Sequence, residues 1–163
     1  MDLVRLIRHI LLLVLAFILQ TTWVHIFEVS GLKPDLVILV LLYIALAAGS
    51  FEATILGFWI GFIQDIDMPD NLGLNALVNS ILGFSVGWGR MRITADSVPV
   101  QIVLIFAAVL VHDLIYYIGD SGIAWSDLPF FWLRYSLGRA LYTSLIGALL
   151  SGGLILRRRF LPV

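Results

Sequence analysis

The apolar residues of this sequence come in runs about as long as a bilayer is thick. Crossing the hydrocarbon core takes a helix of roughly 20 mostly apolar residues, fewer where the membrane thins. Six such runs can be marked, at about 6–27, 34–48, 51–66, 72–88, 98–118 and 137–156. Brief connections separate them, punctuated by Pro69, Gly73, Pro99, Gly122 and Pro129. With 61% hydrophobic and 13% charged residues in a chain of 163, too little polar surface remains to coat a soluble globule. Soluble domains carry about 45–50% apolar and about 25% charged residues. A disordered chain, a nucleic-acid-binding domain and a disulfide-built secreted scaffold are thereby excluded, the last also because there is no cysteine. The expectation is an all-α polytopic membrane protein, six transmembrane helices in a single domain over residues 1–163.

The first run follows Arg5 and Arg8 as a signal peptide would. No small-x-small cleavage site follows, however, and the run continues through Gln20-Thr21-Thr22-Trp23, so an uncleaved span is expected. Pro34 to Ile66 reads as one long tilted helix or as two short ones broken at Gly49-Ser50. Charge decides between them, because cytoplasmic loops are enriched in Lys and Arg. Two helices put both termini inside, with Arg5, Arg8, Arg90, Arg92, Arg157, Arg158 and Arg159 as cytoplasmic anchors and only Lys33 and Arg134 outside. One helix would leave only Arg5, Arg8 and Arg134 inside. Six spans are expected.

Polar side chains within the runs are costly in hydrocarbon and normally face other helices or a cavity. Gln20, His25, Gln64, Asp65, Asn75, Asn79, His112, Asp113 and Arg139 are of this kind, most of them in the outer half of their helices. Asp113 lies five residues before the outer end of its span and Arg139 five residues after Arg134. A rise of 1.5 Å per residue puts both about 7–8 Å below the same boundary, so an Asp113–Arg139 ion pair is expected. The cluster as a whole has two readings: a set of inter-helix hydrogen bonds and ion pairs, or a ligand or partner pocket open to the outer face. His9 and His25 stand singly near the interfaces and suggest no metal site.

Small residues form a second pattern. Gly57 and Gly61 are spaced i, i+4 and continue to Asp65 on one helix face, and Gly83 and Gly87 repeat the spacing. Such faces permit close backbone approach, within one chain or between two copies as a homodimer, or to a partner helix. Catalytic signatures are absent. Gly119-Asp120-Ser121-Gly122 matches the G-x-S-G of rhomboid proteases, but no histidine follows His112 to act as base for the serine. There is no H-E-x-x-H, P-loop or dinucleotide fingerprint, and no cofactor is implied.

A set of residues in order carries a resemblance. Lys33-Pro34-Asp35-Leu36 opens an apolar helix, followed by Gly49, Glu52, the Gly57/Gly61/Gln64/Asp65 face, Leu72-Gly73-Leu74-Asn75-Ala76-Leu77 and Arg90. Over residues 30–92 the chain resembles the rod shape-determining MreD family of bacteria; the remainder matches in hydropathy. The resemblance implies a non-enzymatic component of the inner (cytoplasmic) membrane, within the machinery that elongates the cell wall. Its implied partners are the bitopic MreC, the actin-like MreB, and the RodA glycosyltransferase with its class B penicillin-binding protein, in a bed of membrane lipid. It also implies a fold similar to the substrate-binding S components of energy-coupling-factor transporters. That supplies the alternative, a vitamin-binding S component. S components dock through A-x-x-x-A faces on their first helix, whereas Leu6 to Ala16 here contains a single alanine.

Overall fold

The computed structural model describes residues 3–23, 28, 31–90, 97–120, 122 and 124–160, with side chains described as far as residue 151. The described residues are predominantly helical. Helix α1 spans Leu3–Thr22, α2 Leu36–Ala48, α3 Ser50–Asp65, α4 Leu74–Gly89 and α5 Val98–Gly119. The short helix α6, Leu128–Phe131, passes through a π-helical turn at Trp132–Ser136 into α7, Leu137–Phe160. Counting α6 to α7 as one continuous rod, six helices run alternately up and down. At one end the start of α1 meets the start of α3 through Arg5 and Glu52, and Arg90 reaches Ala47. At the other, Gln20 meets the start of α2, and Gly119 packs on Leu74 at the start of α4. The first is called here the basic end and the second the acidic end.

Pro34 to Ile66 is two helices. Gly49 ends α2 with φ +97°, a left-handed backbone that a side chain would strain, and α3 begins at the next residue. The last helix starts nine residues earlier than the expected 137. Pro129 occupies its first turn, where proline lacks only an N–H that would be unbonded anyway, so it starts a helix rather than ending a loop.

Among the described residues, α1 and α5 alone are long and apolar enough to cross a bilayer by themselves. Helix α2 has 13 residues, about 20 Å of rise. Its sequence LVILVLLYIALAA is apolar all round, the pattern of a helix enclosed by others rather than one with a single buried stripe. That is its place: Val37, Ile38, Leu41, Leu42, Ile44 and Ala45 are all buried, and α2 touches α1, α3, α4, α5 and α7. The outer faces of the surrounding helices are apolar and exposed, as in Val4, Leu11 and Leu15 on α1, Phe58, Trp59 and Phe62 on α3, and Leu141, Leu145 and Leu149 on α7. Large apolar side chains on the outside around a core of the same character mark a surface solvated by lipid.

Candidate functional site

A short helix enclosed in apolar surroundings has a difficulty at each end, because its first N–H groups and last C=O groups lack intrahelical partners. The acidic end meets this at α2 with four side chains. Asp35, the N-cap, accepts from Ile38 N at 2.8 Å. Gln20 Oε1, brought by α1, accepts from Leu36 N at 2.8 Å and Val37 N at 3.1 Å. Asp35 N donates to Thr143 Oγ1 of α7 at 3.0 Å. Arg139 then bridges two carboxylates, its Nη1 donating to Asp113 Oδ1 at 2.9 Å and its Nη2 pairing with Asp35 Oδ2. Asp35 and Asp113 are buried, and His112 Nδ1 lies 3.1 Å from Asp113 Oδ1. The expected neighbours Asp113 and Arg139 are thus in contact, and Asp35 is a second partner that the depth argument did not find. In an apolar medium a charge of this kind persists only when it is paired and hydrogen-bonded.

The N-terminus of α4 is met by one residue. Asp65 accepts from Gly73 N, Asn75 N, Asn75 Nδ2 and Ala76 N at 2.9–3.0 Å. Both of its oxygens are engaged, and it is wholly buried. Gln64 Oε1 accepts from Asn79 Nδ2 at 2.9 Å. Of the polar cluster read as a pocket, Gln64, Asp65, Asn75 and Asn79 therefore bond one another between α3 and α4. His112, Asp113 and Arg139 form a separate group with Asp35.

The glycine faces meet each other. A Cβ added at Gly57 would lie 2.6 Å from Asn79 O, and one at Gly83 would lie 2.5 Å from Ala53 O. Gly61 likewise lies against the Asn75 backbone and Gly87 against Ser50. Each helix presents glycines to the other's main chain, so α3 and α4 pack backbone on backbone. This face is filled from within the chain and is not open to a partner or to a second copy.

At the basic end Glu52, buried in the first turn of α3, takes His9 Nδ1 at 2.5 Å and Arg5 Nη2 at 3.3 Å, joining α3 to α1. Arg90 sits over Gly49 and donates to Ala47 O at 3.4 Å, a cation at the C-terminus of α2 where the helix dipole favours one. Sequence reasoning set His9 aside and gave Glu52 no role. The signal it passed over is the i, i+4 spacing of Arg5 and His9, which puts both on one face of α1. His25, Arg92 and Ser121 lie outside the described residues. So do the side chains of Arg157, Arg158 and Arg159, whose backbone continues α7.

Residues 2–152 match the family described as rod shape-determining protein MreD. No curated protein and no solved structure matches the chain, so the implied fold similarity to transporter S components has no solved structure behind it. With a match over nearly its whole length and a lipid-facing apolar exterior, this chain is a membrane protein that belongs to the rod shape-determining MreD family.

Proposed function

We propose that the chain is a non-enzymatic scaffold of the bacterial inner membrane. It binds MreC and helps position the RodA glycosyltransferase and its class B penicillin-binding protein, with MreB on the cytoplasmic side. The family match carries this reading. The interior of the described bundle supports it. The polar side chains between α3 and α4 are engaged with one another or with helix ends, as a fixed framework requires rather than a transport or catalytic site. Both termini and the Arg90/Arg92 turn face the cytoplasm in this proposal, from the distribution of Lys and Arg. The connections between the helices are too short to build a typical interface of ~800 Å² per partner, so MreC is bound through membrane helices.

Co-expression with MreC, mild solubilisation and purification through one partner tests the reading. Recovery of both proteins with no added small molecule is expected, and depletion in a rod-shaped host should give rounded cells. A vitamin requirement in place of rounding, or specific vitamin binding by the purified protein, would favour the transporter alternative. Reporter fusions at Val163 and near Thr94 should be active only with a cytoplasmic reporter; periplasmic activity at either point overturns the orientation.

A further inference from the structure

The acidic end holds few cations among its described residues; two of them, Lys33 and Arg139, line one cleft, and Arg134 lies over one of its tyrosines. This cleft, of about 320 Å³, opens between the end of α1, the 31–34 turn, α5 and the π-helical turn. Gln20, Lys33, Tyr117, Tyr135 and Arg139 line it, and among the described residues no carboxylate does. Arg134 does not line it, but its guanidinium lies 5.8 Å from the centroid of the Tyr135 ring, which does, and 5.7 Å from that of Phe130. Asp35 and Asp113 hold the Arg139 guanidinium but are themselves buried, whereas the arginine side chain remains 30% exposed. At the surface, Glu28 lies 3.1 Å from Lys33 Nζ in a solvent-screened pair. Beside Arg134, Phe130 is large, apolar and exposed, and so is Leu133, the residue before Arg134.

We propose that this cleft binds a phosphate group, presented by an anionic phospholipid at the membrane boundary. A guanidinium offers planar paired donors that fit phosphate oxygens, and an ammonium adds a point charge. The apolar side chains beside Arg134 favour the lipid as source over free phosphate, because they give acyl chains a surface beside the headgroup. The site goes beyond the scaffold reading and does not depend on which end of the bundle faces the cytoplasm.

The test uses the full chain purified in detergent. Its thermal midpoint is followed with added phosphatidylglycerol, with phosphatidylcholine of the same acyl chains, and with inorganic phosphate. Phosphatidylglycerol should raise the midpoint at concentrations where phosphatidylcholine does not. Lys33→Gln combined with Arg134→Gln should weaken the apparent affinity about tenfold. Both residues are at the surface, and the midpoint without lipid reports whether the variant still folds. Glu28→Gln, which frees Lys33, should strengthen the response, a gain that misfolding cannot imitate. An equal rise with inorganic phosphate would overturn the lipid source and assign the site to free phosphate. Equal stabilisation by the two lipids without a phosphate effect, or a full response in the Lys33/Arg134 double variant, overturns the site.

Discussion

The α3–α4 pair and the seam where α1, α5 and α7 meet around α2 are two solutions to one problem, holding helices together where water cannot drive them. In the pair, glycines remove the side chains and two backbones approach until main-chain atoms touch. In the seam, Arg139 joins Asp35 and Asp113 while Gln20 and Thr143 complete the start of α2. The pair depends on shape and tolerates nothing added. The seam depends on charge and tolerates nothing removed. Lipid tails are as apolar as leucine, so neither region can rely on apolar burial alone.

The comparison breaks most visibly at Arg139. Arg139→Gln leaves two buried carboxylates without their cation and should cost about 3–5 kcal/mol in unfolding followed by denaturant titration in detergent. Adding Asp113→Asn should recover part of that loss; strictly additive losses would show that the two residues act independently. Next comes Gly61→Ala, where one methyl against the Asn75 backbone should cost about 1–3 kcal/mol through overpacking, measured in the same way. Gly31→Ala meets open space but is strained by its φ of +83°, so a loss there would report backbone conformation and not overpacking. Asp65→Asn keeps one acceptor for the α4 N-terminus and turns the other oxygen into a donor facing N–H groups, an expected loss of about 1 kcal/mol. The smallest effect belongs to Phe58→Leu on the outer face of α3, within about 0.5 kcal/mol. A large loss there would mean that Phe58 packs within the folded protein rather than on its outer face.

Periodicity and depth made the pair legible from sequence, and only part of the seam. Gly57/Gly61 and Gly83/Gly87 repeat at a spacing that can mean only one helix face, and α3 and α4 are neighbours in the chain. Asp113 and Arg139 were matched because each could be counted from a membrane boundary. Glu52 with His9, and Asp35 with Thr143, join residues 43 and 108 positions apart, and no local pattern encodes such pairings. Asp35 did carry a local sign. It precedes an apolar run directly after Pro34, where a helix N-cap belongs. Asp65 was read as the outer end of a glycine face; its use as a cap for α4 depends on the reversal of the chain at Met68–Gly73.

The enclosed start of α2 has a consequence for how the protein is made. The groups that complete that turn come from α1, synthesised before it, and from α7, synthesised last, with Thr143 lying 108 residues beyond Asp35. A nascent chain that has emerged only through α5 holds two acidic side chains at the membrane boundary with no Arg139 to join them. The start of α2 and the part of α5 around Asp113 therefore lack their final partners as they leave the insertion machinery. Chains ending before Arg139 should accordingly be degraded faster than the full chain, which pulse-chase labelling would read.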